Sequence, residues 1–459
     1  MINLNNIEDN SWPKTKISIL GGGKSGIAAA KLGEKIGADI FISDNNNNPK
    51  TIDRMRDFKY ESGGHSKKIL NSDLVIISPG ISDSIPIAAN CICNNIPIVS
   101  EIEFASWFTK SPILALTGSN GKTTTINLLN DMCISDGINS LLGGNLGIPF
   151  SENVLWEMDS DIINPVHVLE LSSFQLEHIN SFSPVIAGLL NISEDHMDRY
   201  KDIHDYSKNK IKLTQNISDS GWIIYNGDDP ILENVFHKHE QAQIFSTFDH
   251  NKTHFKLNAS KVYSGTPDNP EILFQLDETE LKGSHNLQNI LAAATMAYAF
   301  GISPIAIRDA IINFTPIPHR LEWIGNIMGV DYYNDSKATN IAATLAAIKS
   351  FDHQLIVIMG GMDKGHTNFS QLNPSLINRV KHIYTYGEAG RSIEKQINST
   401  IEVTYIKEFK SAVLNASKQS KSGDIILLSP ACSSFDQFSN YEERGNAFKH
   451  IFNNLELGL

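Results

Sequence analysis

Residues 113–125 read ILALTGSNGKTTT, and this stretch decides the fold that the sequence predicts. Its first four residues are apolar and predict a buried strand, and a helical pattern of apolar residues follows the threonines. A glycine-rich turn, then Lys122 and Thr123, lie between them. This is the layout of a phosphate-binding loop, in which backbone N–H groups and a helix N-terminus surround a polyphosphate and the threonine hydroxyl binds Mg²⁺. Leu116 stands where the general pattern has its first glycine, so the loop is a shorter variant, and a glycine-rich structural turn is the alternative.

Composition narrows the class of protein. The net charge of −13 argues against a nucleic-acid partner, because binding to phosphate backbones needs clustered Lys and Arg. The length suits about three domains on the usual domain size, and 41% hydrophobic content fills large cores. The polar N-terminus has no apolar signal core, and no apolar run approaches the roughly 20 residues that span a bilayer. We therefore expect a cytoplasmic protein without a membrane partner, and nothing in the sequence demands more than a monomer.

The N-terminal segment begins as a dinucleotide-binding fold does. A strand at 16–20 precedes GGGKSG at 21–26, which fits G-x-G-x-x-G, and a helix at 27–37 and a strand ending at Asp44 follow. An acid about 20 residues after the glycines is typical of a site for NAD. Another nucleotide diphosphate and a purely structural turn are the alternatives. A further buried strand at 74–77 leads into a loop that begins with Ser78, on the edge of the sheet where ligands bind.

Two strands of the middle segment end in polar residues. The strand at 166–169 ends at Glu170, where an acid beside a phosphate-binding loop holds Mg²⁺; an ordinary strand-end acid is the alternative. The strand at 186–192 leads into EDHMDRY at 194–200, where His196 is a candidate to bind Mg²⁺ or to transfer a proton. The helix that follows carries three lysines: Lys208, Lys210 and Lys212. This pattern is typical of a solvated face and distinguishes none of them.

The last segment predicts a second doubly wound domain. Its predicted strands alternate with helices and lie at 330–334, 354–359, 382–386 and 424–428, with an exit loop at 429–436. The strand exits carry Lys337, Lys364 and Ser434, which together suit a small molecule with carboxylates, although each alone is a common turn residue. Upstream, Asn286 and Asn289 lie on one helix face, where an amide suits an adenine edge; N-capping is the alternative for Asn286.

The segments together predict an α/β fold of three domains. These are a Rossmann-like N-terminal domain at 1–108, a central P-loop ATPase-type domain with a mostly parallel sheet at 109–316, and a C-terminal Rossmann-like domain at 317–459.

The loop and four further motifs resemble the Mur ligase family over nearly the whole chain. These motifs are ELSSFQLE at 170–177, DHMDRY at 195–200, NDSKATN at 334–340 and LSPACSS at 428–434. The NDSKATN stretch resembles the members that add D-glutamate, since a His-containing motif stands there in members that add diamino acids. The resemblance implies that ATP phosphorylates the carboxylate of UDP-N-acetylmuramoyl-L-alanine in peptidoglycan precursor synthesis. The amine of D-glutamate then attacks the acyl phosphate.

The same resemblance implies the site residues. Those that serve catalysis are Lys122, Glu170, His196 and Lys210. Those that contact ATP are Gly118, Ser119, Asn120, Gly121, Lys122, Thr123, Thr124, Asn289, Arg320 and Asp335. Two Mg²⁺ ions would be held by Thr123, Glu170, His196 and Lys210, the last as a carbamate, since addition of CO₂ converts the cation into an anionic oxygen ligand. The residues that hold the UDP-linked substrate are Gly23, Lys24, Ser25, Asp44, Asn45, Ser78, Asn145 and Gln175. Those that surround D-glutamate are Lys337, Thr339, Lys364, Ser434 and Tyr441. UDP thereby becomes the favoured nucleotide of the N-terminal segment.

Two other classes of function are weighed against the ligase. An oxidoreductase that uses the glycines at 21–26 leaves Lys122 and Glu170 without a role. A non-catalytic nucleotide-binding or scaffold protein leaves the polar strand exits of the last segment unexplained. Residues 240–280 match no motif.

Overall fold

The structure is a computed structural model, and the chain divides into two compact units. The structure describes residues 2–4, 7–145, 147–197, 199–248, 253–266, 269–281, 283–351, 354–363, 367–397 and 401–458. The first unit comprises Met1–Ile192, Tyr200–Thr279 and Gln288–Phe314, and the second comprises Ser193–Arg199, Glu280–Leu287 and Thr315–Leu459.

A five-stranded parallel sheet forms the N-terminal part of the first unit. Its strands are β1 (Lys16–Leu20), β2 (Asp39–Asp44), β3 (Lys59–Ser62), β4 (Leu74–Ile77) and β5 (Ile98–Ser100). Its helices are α1 (Lys24–Lys35), α2 (Pro49–Met55), α3 (Pro86–Cys93) and α4 (Glu101–Ser106). The strand order is β3-β2-β1-β4-β5, so the chain leaves the central β1 toward opposite edges. The carboxyl ends of β1 and β4 therefore border a crevice of the kind in which α/β sheets bind ligands.

A six-stranded parallel sheet follows in the same unit. Its strands are β6 (Ile113–Thr117), β7 (Ser140–Gly144), β8 (Val166–Glu170), β9 (Ile186–Leu189), β10 (Trp222–Asn226) and β11 (Ala242–Phe245). Its helices are α5 (Lys122–Ser135), α6 (Phe150–Asp159), α7 (Ser173–Leu176), α8 (Ile203–Ile211) and α9 (Pro230–Phe236). The order is β11-β10-β9-β6-β8-β7. Because β6 lies between β8 and β9, the glycine-rich loop that follows β6 opens at the switch point of the sheet.

The region without a sequence motif includes a small antiparallel sheet. Its strands are β12 (Lys256–Asn258), β13 (Lys261–Thr266) and β14 (Asn269–Gln275), in that order. Two helices follow it, α10 (Ser284–Phe300) and α11 (Pro304–Asn313). Short 3-10 helices elsewhere in the chain lie at Ile7–Asp9, Lys67–Asn71, Lys212–Thr214 and Phe369–Leu372.

The second unit contains a mixed six-stranded sheet. Its strands are β15 (Glu322–Ile327), β16 (Val330–Asn334), β17 (Leu355–Gly360), β18 (Val380–Tyr386), β19 (Glu402–Tyr405) and β20 (Ile425–Ala431). Its helices are α12 (Ile341–Lys349), α13 (Asn373–Leu376), α14 (Gly390–Gln396), α15 (Phe409–Gln419) and α16 (Tyr441–Glu456). The order is β15-β16-β20-β17-β18-β19, and only the β15–β16 pair among them is antiparallel. The predicted exit loop at 429 was wrong by three residues, because β20 continues until Ala431 pairs with Gly360.

The predicted α/β class with three domains is confirmed by these sheets. The predicted bounds at residues 108 and 316 remain a prediction. Within the described part of the chain, every helix is too short or too polar to cross a bilayer.

Candidate active site

The loop after β6 has the geometry that phosphate binding requires. Gly121 is the N-cap of α5, and its φ of +84° is a left-handed conformation that only glycine adopts without strain. The next residue, Lys122, donates from Nζ to the carbonyl oxygens of Gly118 at 2.8 Å and Ser119 at 3.0 Å. The ammonium group therefore lies across the turn, at the positive end of a 14-residue helix.

Three predicted site residues meet beside this loop. The hydroxyl Oγ1 of Thr123 donates to Oε2 of Glu170 at 2.8 Å, and Nδ2 of Asn145 donates to Oε1 of Glu170 at 2.9 Å. Glu170 is the buried last residue of β8. A hydroxyl and a carboxylate oxygen next to a phosphate-binding loop are the donor set that Mg²⁺ takes in such sites. The residues present therefore fit a magnesium ion.

Lys210 differs from the solvated lysine that the sequence suggested. It is 1% exposed, and its Nζ donates to the carbonyl oxygen of Gly118 at 2.8 Å. The same ammonium lies 4.7 Å from the ring centre of Tyr206, one turn earlier on α8. The expectation of a solvated face was wrong for Lys210, because the α8 face that carries both residues is buried. An aromatic residue four positions before a lysine shares its helix face, but this spacing does not say which face of the helix is buried.

The loop is held by Asn191, which the sequence analysis did not single out. Its Oδ1 accepts from the backbone N of Asn120 at 2.8 Å, and its Nδ2 donates to the Asn120 carbonyl at 3.1 Å. Asn191 follows β9, and its position at the same sheet edge was the only feature of the sequence that could have predicted this role. On the other side, Asn289 accepts from Oγ1 of Thr125 at 3.2 Å, and a Cβ on Gly121 would lie 2.2 Å from Asn289 Oδ1. Asn289 thus lies against the loop, and its contact with adenine stays a prediction.

The glycine turn of the first sheet brings several predicted UDP residues together. Asp44 accepts from the backbone N of Gly22 at 2.6 Å, and Ser78 donates to the Gly21 carbonyl at 3.4 Å. Helix α1 begins at Lys24, three residues before the predicted start, so Gly23 is its N-cap and Ser25 lies in its first turn. An uncovered helix start at a sheet crevice suits a phosphate group. Asn45 lies in the exposed loop beyond β2.

Gln175 lies beside the second parallel sheet, where it is hydrogen-bonded to Ser172. Its Oε1 accepts from the backbone N of Ser172 at 3.0 Å, and its own backbone N donates to the Ser172 hydroxyl, which is a capping box at the start of α7. Its contact with a substrate remains a prediction.

In the second unit, Asp335 is a buried acid with two hydrogen bonds. Its Oδ2 accepts from the Ser429 hydroxyl at 2.9 Å, and its Oδ1 accepts from the backbone N of Leu321 at 3.2 Å. Burial raises the pKa of Asp335 to about 7, against the opposing effect of these bonds and of the positive charge of Arg320.

Arg444 connects the two segments that carry predicted D-glutamate residues, although the sequence analysis passed over it. It is fully buried in α16. Its Nη2 donates to the Ser336 carbonyl at 2.7 Å, and its Nη1 donates to the carbonyls of Cys432 at 3.1 Å and Ser433 at 3.3 Å. An arginine on an amphipathic helix is ordinarily solvated, so the sequence held no signal of this role.

The predicted D-glutamate residues are partly brought together. The Nζ of Lys337 lies 3.9 Å from the ring centre of Tyr441, and Ser434 is buried directly after the Arg444 contacts. Thr339 is half-buried in the loop before α12. Lys364 lies outside the described residues.

His196 belongs to the second unit and adopts a left-handed backbone with φ of +57°. Its backbone N donates to Oδ1 of Asp195 at 3.0 Å, and Oδ2 of Asp195 accepts from Asn340 at 3.2 Å. Because Arg320 and Asp335 lie in the same unit, the place of these three residues beside the phosphate loop remains a prediction.

Fold and loop together define a class, namely α/β proteins with a phosphate-binding central sheet and a doubly wound C-terminal sheet. Family profiles identify it further: "MurD N-terminal domain" matches residues 16–86, "Mur ligase middle domain" matches 116–297, and "Mur ligase, glutamate ligase domain" matches 319–432. The chain belongs to the Mur ligase family.

Its similar relatives share one name. The UDP-N-acetylmuramoylalanine--D-glutamate ligase of Koribacter versatilis is 37% identical over 95% of this chain and 96% of its own length. The enzyme of that name from Christiangramia forsetii is 38% identical over 96% of this chain and 99% of its own length.

Solved structures support the fold. A pseudomurein peptide ligase type C from Methanothermus fervidus has a TM-score of 0.61 at 18% identity, covering 96% of this chain and 100% of its own. MurF from Acinetobacter baumannii has a TM-score of 0.60 at 15% identity, covering 91% of this chain and 90% of its own.

Proposed function

We propose that this chain is an ATP-dependent ligase that adds D-glutamate to UDP-N-acetylmuramoyl-L-alanine, a cytoplasmic step of peptidoglycan precursor synthesis. The observation that carries the proposal is the convergence of Lys122, Thr123 and Glu170 on one phosphate-binding loop in a member of the Mur ligase family. The relatives named as D-glutamate ligases support the choice of substrate pair. An oxidoreductase or a scaffold has no use for this convergence.

The loop residues bind the triphosphate of ATP and stabilise the transferred phosphoryl group. The turn from Gly118 to Thr124 surrounds the phosphates, with the backbone N–H groups at the start of α5 directed at them, and the Lys122 ammonium turns from the loop carbonyls toward the transferred group. Asn289, Arg320 and Asp335 bind the rest of the nucleotide. Catalysis is mostly positioning and charge stabilisation, since phosphoryl transfer needs little covalent help from a protein.

The proposed reaction uses two Mg²⁺ ions. Thr123 and Glu170 would hold the first ion, and His196 and Lys210 as a carbamate would hold the second. When bound, such ions would supply positive charge to neutralise the charge that develops on the transferring phosphoryl group.

Carbamylation of Lys210 is supported by its burial beside the loop. The ammonium first loses a proton, and the neutral amine then adds CO₂ and releases a second proton, so a buried cation becomes a carboxylate-like anion. The present contact of Nζ with the Gly118 carbonyl places the amine next to the phosphate site.

Each substrate has its own set of proposed residues. The UDP-linked substrate is held by the glycine turn of the first sheet, with Asn145 and Gln175 nearer its carboxylate. That carboxylate attacks the terminal phosphorus of ATP, which forms an acyl phosphate and ADP. The D-glutamate amine, whose carboxylates are bound by Lys337, Thr339, Lys364, Ser434 and Tyr441, attacks the acyl carbon, and phosphate leaves. The chain acts as a monomer.

The test is phosphate release from ATP by the full chain with each substrate omitted in turn. We expect release only when UDP-N-acetylmuramoyl-L-alanine and D-glutamate are both present, and little release when L-glutamate replaces the D-isomer. Release that ignores the amino acid, or reduction of NAD, would contradict the proposal.

A further inference from the structure

Helix α4 joins the two parallel sheets of the first unit and carries two buried carboxylates, Glu101 and Glu103. The helix follows the edge strand β5 of the first sheet and leads to β6 in the second. Both carboxylates accept hydrogen bonds from backbone N–H groups of segments that belong to the second sheet. The side chains of α4 therefore connect the edge of the first sheet to loops of the second sheet.

Glu101 binds the start of α6. Its Oε1 accepts from the backbone N of Ser151, the second residue of that helix, at 2.5 Å. The N-cap of α6 is Pro149, which offers no side-chain cap. A carboxylate at a helix start bonds an N–H group that has no partner within the helix and faces the positive end of the helix dipole. Glu101 thus supplies from 50 residues away the cap that α6 lacks.

The start of α6 in turn supports the turn that carries Asn145. The amide Nδ2 of Asn153, in the first turns of α6, donates to the Leu142 carbonyl at 3.2 Å. Across the turn, Gly144 N donates to the Ile148 carbonyl at 2.9 Å. Asn145 itself donates from its backbone N to the Glu170 carbonyl at 2.7 Å. The turn that carries Asn145 is therefore held from one side by the start of α6 and from the other by Glu170.

Glu103 binds the segment that follows α7. Its Oε2 accepts from the backbone N of Asn180 at 2.9 Å and of Phe182 at 2.8 Å, and its Oε1 accepts from Ser181 N at 2.8 Å. Helix α7 carries Gln175. The two carboxylates of α4 thus hold both segments that present Asn145 and Gln175.

The placement of these contacts has a consequence for the UDP-linked substrate, whose proposed site has one half on each sheet. We infer that Glu101 and Glu103 are positioning residues that set the distance between the two halves. The inference rests on the proposed function. Burial of a carboxyl group has a desolvation cost, and it raises the pKa of Glu101 to about 7.

The test compares two ligands on the full chain by calorimetry. UDP alone occupies only the first sheet, whereas UDP-N-acetylmuramoyl-L-alanine reaches both. For Glu101→Ala we expect the Kd of the UDP-linked substrate to rise about tenfold, the size of one hydrogen bond to a charged group, with the Kd of UDP within about twofold. Glu101→Asp keeps the carboxyl group but shortens the reach and is expected to act in the same direction. Glu101→Gln keeps an acceptor for Ser151 and is expected to stay within about threefold.

The control variant is Glu157→Gln on α6, the helix whose start Glu101 binds. Glu157 accepts from the Ser111 hydroxyl at 2.6 Å and lies 2.8 Å from His167 Nε2, both beside the second sheet. This variant is expected to leave the ratio of the two Kd values unchanged. If Glu101→Ala and Glu101→Asp changed the Kd values of both ligands by the same factor, or changed neither, the inference would be overturned. The proposed function would not be affected by that result. A wild-type chain that binds UDP but not the UDP-linked substrate would overturn the proposed function and the inference with it.

Discussion

Replacing Gly121 by alanine tests whether the shape of the phosphate loop depends on the absence of a side chain. Gly121 has a φ of +84°, and a Cβ there would lie 2.2 Å from Oδ1 of Asn289. Gly137, just beyond the other end of the same helix, has a φ of +79° and would place a Cβ in open space. Gly137→Ala therefore measures only the cost of the left-handed backbone, whereas Gly121→Ala adds the steric clash with Asn289.

The magnitudes follow from these two terms. A left-handed conformation costs an alanine about 1 to 2 kcal/mol, which is the whole expected loss of stability for Gly137→Ala. Gly121→Ala must also displace Asn289, which breaks the hydrogen bond from Thr125 Oγ1 at 3.2 Å and leaves a buried amide poorly paired. That adds about 1 to 2 kcal/mol. We therefore expect a total of about 2 to 4 kcal/mol for Gly121→Ala.

Native-state hydrogen exchange of the amides of α5 measures both losses on one helix, since a chain of several domains need not unfold in one step. The KM for ATP is measured in parallel and is expected to rise only in Gly121→Ala. Equal losses in the two variants, or a milder loss in Gly121→Ala, would refute the reasoning.

The remaining predictions concern charged groups. Lys122→Ala is expected to abolish phosphate release while leaving the circular dichroism spectrum unchanged, and near-full activity would remove its role in binding ATP. Lys210→Ala is expected to regain part of its activity in acetate or formate, which replace a carbamate; a wild type indifferent to bicarbonate, with no rescue, would count against the carbamate. Burial raises the pKa of Asp335 to about 7, so the folded state holds a proton that the unfolded state has lost, and stability falls as pH rises from about 4 to 7. Urea titrations at pH 5 and 8 are expected to show a smaller fall for Asp335→Asn, and an equal fall would contradict the assignment. Arg444→Lys keeps the positive charge but loses the several N–H groups of the guanidinium. It is expected to raise the KM for D-glutamate about tenfold, with the KM for the UDP-linked substrate within about twofold. Equal changes in both KM values would indicate a general loss of structure.

Much of the fold was readable because its information is local. Strands β1 and β4 lie at their predicted residues, since runs of buried apolar residues between turns specify a parallel strand directly. The end of β20 was misjudged, because Ser429 and Pro430 are common in turns and only pairing with β17 keeps them in the sheet.

The sequence predicted those residues of the candidate site that lie at the ends of strands. Thr123 and Glu170 were expected together, because they follow neighbouring parallel strands, and they are joined by one hydrogen bond. Burial was not readable: the sequence could not distinguish Lys210 from Lys208 on one helix, although one is buried and the other exposed.

The sequence by itself determined the strands on either side of the phosphate loop, the loop itself and the family, because each depends on residues that are close along the chain. The tertiary structure alone decided that Asn191 holds the loop, that Arg444 joins two segments of the second unit, and that Glu101 caps a helix 50 residues later. These roles depend on contacts between distant segments, and a contact of that kind leaves no periodicity or spacing in a single sequence.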